Sequence, residues 1–246
     1  ERWFKMKFSD RDLESLVKAF TQNNKEELEN NALDNSFVTR NGEPAYSWNY
    51  TFGAISKAAL RQGLQYIIVE RTKIWEFVAV ISKDGSELIL FFREKNLKKI
   101  LSEFQDKPFH YLNCLLVINR HLDGQEIAHQ TDLLDTDKAI DERRLAESKK
   151  MLQEDFEKIK TIYVCSKEEI YGNVVSVSLN LLNSTGELIE KTDLTDYIAL
   201  DYVATAGITE ENKPSSTIPR LKQKFLDDNK KSIPSDKYKG KITESD

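Results

Sequence analysis

Three apolar runs at hairpin spacing constrain this chain more than any other feature: Gln65 to Glu70, Ile74 to Ser82, and Glu87 to Arg93. Each is rich in β-branched and aromatic residues. The segments between them, Arg71-Thr72-Lys73 and Lys83-Asp84-Gly85-Ser86, are short enough for tight turns, and the second carries an Asp-Gly pair that tolerates positive φ. The pattern predicts an antiparallel meander over 65–93. A meander with apolar residues needs a cover, so the expected class is α+β: a central, mostly antiparallel sheet flanked by helices.

The remaining elements follow from periodicity. Ser9 is placed to cap a helix whose Leu13, Leu16, Val17 and Phe20 share one face. Residues 45–52 alternate strictly, with Tyr46, Trp48, Tyr50 and Phe52 on one side, and this predicts a strand. A short helix over 53–62 follows, with Ile55 and Ala59 inward and Gly63 as its stop. Leu97 to Phe104 predicts another helix, Tyr111 to Ile118 a buried strand, and 132–159 the longest helix, with Ala139, Ile140, Leu145, Met151, Leu152, Phe156 and Ile159 as candidate inward positions. Strands at 161–165 and 174–182 precede a hairpin through Asn183 to Gly186 into 188–191.

Charge divides the chain unevenly. Lys and Arg number 36 against 41 Asp and Glu, a net −5, which as a whole is no footprint for nucleic acid or anionic lipid. From Lys213 onward the net is +4, so the preceding residues carry −9, and three of the five prolines fall in 206–246. This predicts a globular body over 1–205 and a basic C-terminal extension over 206–246, pinned through Ile218, Leu221 and Phe225 or free to contact an acidic partner or a phosphate backbone. Cys114 and Cys165 sit in apolar runs as small hydrophobes, and with three dispersed histidines they form no zinc pattern. No metal or cofactor is expected. No apolar run approaches the roughly 20 residues of a membrane span, and 1–8 hold no apolar signal core, so the expected compartment is the cytoplasm.

Gly-rich phosphate loops, nucleophile elbows and reactive-cysteine contexts are absent. Two binding sets and one catalytic set remain. The aromatics Tyr46, Trp48 and Tyr50 are candidate partner contacts, with core packing as the competing account. Arg71, Lys73, Arg93, Lys95, Lys98 and Lys99 cluster at the meander's ends, where an up-down-up path puts the first turn and the end of the third strand on one side, forming a candidate basic rim for nucleic acid. Pairing with nearby Glu70, Glu76, Glu94 and Glu103 is the alternative there.

The order over Gly53 to Ile118, a helix, three strands, a helix and a strand, resembles the core of restriction-endonuclease-like folds. That resemblance implies Mg²⁺-holding carboxylates on the second and third strands and a lysine two residues past the last acid. Here the second strand offers only Glu76, and the third offers Glu87 and Glu94-Lys95 at a spacing of one, so the pattern is broken. Asp84, Glu87 and Lys95 would gather only if the turn folded back. Separately, YSWNYTFGAISKAALRQGLQYIIVERTKIWEFVAVIS (46–82) and VVSVSLNLLNSTGELIEKTDLTDYI (174–198) resemble uncharacterised proteins carried by Gram-positive bacteria and their prophages. That resemblance implies a mobile-element setting and assigns no catalytic residue. The expected function is non-catalytic binding of another macromolecule, a protein first and nucleic acid second, as a regulator or inhibitor in phage–host or mobile-element conflict. A degenerate nuclease using the basic rim is the alternative.

Overall fold

A computed structural model of the protein describes residues 6–72, 75–124 and 135–198. The chain is α+β. Six described strands form one sheet in the order β1-β2-β3-β4-β5-β6: β1 (Gln65–Thr72), β2 (Trp75–Ile81), β3 (Glu87–Arg93), β4 (Thr161–Ile170), β5 (Asn173–Leu182) and β6 (Leu188–Asp193). Every pairing is antiparallel except β3 with β4, which run parallel with Glu87 opposite Thr161 and Arg93 opposite Lys167. The sheet is thus two three-stranded meanders joined by a helical crossover, as a parallel pair requires.

On one face lie α1 (Asp10–Thr21) and α3 (Glu43–Arg61), with α2 (Lys25–Asp34) beside α3. Their apolar residues, including Phe20, Ile55 and Ala59, pack on Val78, Val80, Ile89, Phe91 and Cys165. The crossover helices α4 (Glu94–Ser102), α5 (Tyr111–Leu116) and α6 (Asp135–Leu152) cover the other face, where Leu97, Leu112, Leu115 and Leu152 meet Ala79, Ile81, Leu90, Ile162 and Val164. Alternate residues of the central strands therefore enter separate cores, which is why β2 and β3 read as continuous apolar runs.

The α1 expectation holds in detail. The Ser9 hydroxyl accepts from the Asp12 amide at 3.2 Å while the Asp12 carboxylate accepts from the Ser9 amide at 2.9 Å, a capping box, and Leu13, Leu16, Val17 and Phe20 are all buried. The meander also stands as expected.

Two expected strands are helices. Residues 45–52 lie inside α3, whose first turn contains Pro44. At 100° per residue, aromatics spaced by two fall into i,i+4 pairs on opposite faces, Tyr46 with Tyr50 and Trp48 with Phe52. Residues 111–118 form α5 and a 3₁₀ turn (Val117–Leu122), started by His110, whose Nδ1 accepts from the Leu112 amide at 3.3 Å. Leu112, Asn113, Cys114, Leu115 and Leu116 are all buried, so the helix has no solvated face to give its apolar residues a helical period. The strand that completes the helix, three-strand, helix, strand order is β4, not 111–118.

The end of the long helix keeps its expected face, with Leu152 and, beyond the helix, Ile159 buried and Met151 and Phe156 packed on the same core, but its earlier turns differ. Arg144, Ser148 and Leu152 point inward while Leu145 is 37% exposed and Ala139 is exposed. The expected C-terminal extension at 206–246, with Ile218, Leu221 and Phe225, lies outside the described residues, as does Lys73. Among the described residues, no helix is long and apolar enough to cross a membrane.

Candidate functional site

Where β1 ends, β2 begins and β3 ends, the meander opens into a cleft of about 360 Å³. The topology explains its contents. Antiparallel pairing brings Arg71 of β1 beside Trp75 of β2, and the following turn of chain leads Arg93 directly into α4, which supplies Asn96 and Lys99. The connection from α4 to α5 adds Glu103, Lys107, His110 and Tyr111, and α3 lays Trp48 and Phe52 against the opposite side. Phe77, Phe91 and Phe92, all buried, form the apolar base.

Four cations thus converge among aromatic rings. The Arg71 guanidinium lies 4.7 Å from the Tyr111 ring centre, and that ring is stacked on Phe92 at 5.8 Å and tilted against Phe77 at 4.8 Å. Arg93 sits 5.7 Å from the Trp48 ring centre, with its Nε 3.3 Å from Glu169 Oε2. Lys107 pairs with Glu103 at 2.6 Å. Among the described residues, Arg71 and Lys99 have no ion-pair partner, so they are the cations available to an incoming anion.

Burial pushes the His110 imidazole down to about 4, and the nearby Arg71 and Lys107 charges act in the same direction. It is neutral at pH 7, and with Nδ1 accepting from Leu112 its proton sits on Nε2. Burial likewise pushes the Tyr111 phenol up, so it stays a neutral hydroxyl. The cleft therefore offers fixed positive charge, neutral donors and the half-buried Trp75 ring. Among the described residues that line it, the one carboxylate, Glu103, is taken up by Lys107. Among the described residues, no group of three His, Cys, Asp or Glu side chains could hold a metal ion.

The catalytic set does not come together. Asp84 closes the β2–β3 turn, accepting from the Ser82 hydroxyl at 2.7 Å and the Ser86 amide at 3.1 Å, bonds that hold its carboxyl below the usual range. Glu87 is buried and accepts from the Lys7 amide at 2.8 Å, and desolvation raises its pKa. Lys95 lies past the other end of β3, about 20 Å away at the usual rise of a strand. The turn does not fold back, because its own serines hold Asp84 in place.

The basic rim is gathered in part. Arg71, Arg93 and Lys99 line the cleft, whereas Lys95 and Lys98 are on α4 but outside it, Lys98 paired with Glu94 at 3.4 Å. Lys107, His110 and Tyr111 are absent from the sequence-based sets, because a buried strand over Tyr111 to Ile118 leaves no reason to bring them to the meander; the Lys107-Pro108-Phe109-His110-Tyr111 run of basic and aromatic residues is the available signal. The aromatic set is split by the helix. Trp48 faces the cleft, stacked on Phe52 at 4.9 Å and Phe20 at 6.4 Å. Tyr50 points toward α2, its hydroxyl 3.5 Å from the Glu27 carbonyl, and Tyr46 is 37% exposed beside Phe37.

No curated protein and no solved structure matches the chain. One family profile does, over residues 5–237, nearly the whole chain, and it also fits the sequence's resemblance to uncharacterised proteins. The protein belongs to DUF5986, a family of unknown function.

Proposed function

We propose that the protein binds a macromolecule without catalysing a reaction on it, and that this macromolecule is nucleic acid held in the cleft at the end of the meander. The supporting observation is the convergence of Arg71, Arg93, Lys99 and Lys107 with the Trp48, Trp75 and Tyr111 rings in one open cavity. Phosphates take cations and a base takes a π face, here the half-buried Trp75 ring, since Tyr111 and Trp48 are already covered by Arg71, Arg93 and neighbouring rings; a site with both is what sequence-tolerant single-strand binding uses. In the mobile-element setting that the sequence resemblance implies, such a protein would act as a regulator or inhibitor by occupying its target. The cytoplasm is the proposed compartment, where two free buried thiols are at home.

The test is fluorescence anisotropy with a labelled single-stranded oligonucleotide across a salt series. The wild type should bind at about 50 mM salt and weaken steeply as salt rises. The double variant Arg71→Ala/Lys99→Ala should bind more weakly, with a log–log salt slope smaller by about 1.4, two contacts at about 0.7 each. Equal affinity and slope in the two proteins would sink the reading. A protein partner is the second reading, favoured by a groove of about 440 Å³ between α2 and the start of α3, where Phe37, Val38 and Tyr46 are exposed. Capture of a protein that Tyr46→Ala abolishes, with no nucleic-acid binding by the wild type, would put that reading first.

A further inference from the structure

The β4–β5 hairpin outruns the rest of the sheet. Strand β3 ends opposite Lys167 and β6 ends opposite Ser178, so beyond those positions β4 and β5 pair only with each other, out to Ile170 opposite Asn173. Because β4 runs parallel to β3, this two-stranded finger leaves the sheet at the cleft end. Its base is tied to the cleft: Glu169 bridges Arg93 at 3.3 Å and Lys167 at 3.0 Å.

The finger's tip is built against local preference. Tyr171 and Gly172 form the two-residue loop with φ of +52° and +81°, as a type I′ turn requires. Gly suits its position, and Asn or Asp would suit the first; a tyrosine there is strained. Nothing in the described fold rewards it, since Tyr171 is 100% exposed, and Ile170 and Val175 beside it are 48% and 42% exposed. Residues 168–176 contain no Lys or Arg. Glu169 is neutralised by its two partners, and Glu168 accepts from the Ser176 hydroxyl at 3.2 Å. A finger without cations cannot follow phosphates. It offers a ring.

We infer that Tyr171 is a base-stacking contact for single-stranded nucleic acid whose phosphates lie in the cleft. This inference rests on the cleft reading above and extends it to the substrate class, since a duplex keeps its base faces covered by their neighbours. Three residues of β4 separate Lys167 from Tyr171, roughly 13 Å of strand counted to the tip. A strand seated in the cleft reaches the ring only when it is long enough to leave it.

Length dependence supplies the test. Labelled oligonucleotides of about 4 and about 12 residues, spanning the site sizes of single-strand binders, are titrated by anisotropy against wild type, Tyr171→Asn and Tyr171→Phe. Asn-Gly is the preferred type I′ pair, so Tyr171→Asn should fold and melt at the same or a higher temperature. It should weaken the longer oligonucleotide by about tenfold, the ratio that one lost stacking contact produces, and leave the shorter unchanged. Tyr171→Phe keeps the ring and should bind both as wild type does. Unchanged binding of the longer oligonucleotide by Tyr171→Asn, or equal weakening of both lengths, overturns the finger contact. If wild type binds neither, the cleft reading itself fails.

Discussion

Arg144 is the side chain whose loss the fold should tolerate least. It sits on α6 with its side chain 6% exposed, and its Nε and Nη2 donate to the Asn113 carbonyl of α5 at 3.1 and 2.7 Å. Nη2 also donates to the Ser184 carbonyl in the β5–β6 turn at 2.6 Å, and Nη1 to Asp141 at 2.9 Å. One guanidinium thereby ties a crossover helix to a hairpin 40 residues further on. Arg144→Met keeps the length of the side chain and removes every donor. Two carbonyls are then left without it in a buried site, at about 1–3 kcal/mol each, while Asp141 retains Arg120. The sum, about 4 kcal/mol, agrees with the range for breaking a buried charge pair by removing one partner. Urea unfolding at pH 7 should show that loss, and for a domain of this size the Tm should fall by about 12 °C. Arg144→Lys should be intermediate, because a point charge cannot serve both carbonyls at once. A loss under about 1 kcal/mol in Arg144→Met would mean that water reaches these carbonyls and that the guanidinium is not what joins helix to hairpin.

Gly186 turns the β5–β6 hairpin at φ +84°, and a Cβ there would meet the Phe104 ring at 2.8 Å, so Gly186→Ala should lower stability by about 2 kcal/mol or more in the same urea assay; a neutral result would show that Phe104 swings away freely. Asp12 is buried, which on its own would raise its pKa, but hydrogen bonds from Ser9 and the Lys83 ammonium at 3.1 Å outweigh burial and leave the carboxyl below 3.8. Its contribution is therefore complete above pH 3.8 and lost as pH falls through the lower folded value. Asp12→Asn should remove that acid-side slope and cost about 1–2 kcal/mol at pH 7, and a variant with the wild type's pH profile would contradict the assignment.

Much of the scaffold was legible because it is local. The Ser9 cap and the Leu13, Leu16, Val17, Phe20 stripe report a helix within a dozen residues, and Asp84-Gly85 between two apolar runs reports a hairpin. Where two periods fit the same residues, legibility ended. Tyr46, Trp48, Tyr50 and Phe52 satisfy the strand template at spacing two and the helix template as two i,i+4 pairs, and Pro44, suited to a helix's first turn, is the local signal for helix. The 111–118 run is apolar at nearly every position, and such a run has no period to read.

The candidate site was legible only by halves for the same reason. Arg71, Arg93 and Lys99 sit at ends of elements that sequence placed correctly, so their gathering followed from an up-down-up path. Lys107, His110 and Tyr111 arrive from a connection whose direction depends on α5 being a helix. That the β4–β5 finger rises at the cleft end depends on β4 pairing in parallel with β3 after a crossover of more than sixty residues.

By itself, then, the sequence determined the class of fold: enough alternating and continuous apolar strands for a sheet, enough amphipathic stretches to cover it, and the turns between neighbours. Those are decided by backbone sterics and by the burial of side chains a few residues apart. Only the tertiary structure decided which strand joins the first meander, which face of α6 turns inward, and which cations share a cleft. In each case the deciding contact links residues far apart in the chain: Arg93 with Glu169, Arg144 with Ser184, Arg71 with Tyr111. Arg144 shows why no local rule reaches it, since it turns inward at the expense of Leu145 because two carbonyls from distant elements need a donor there.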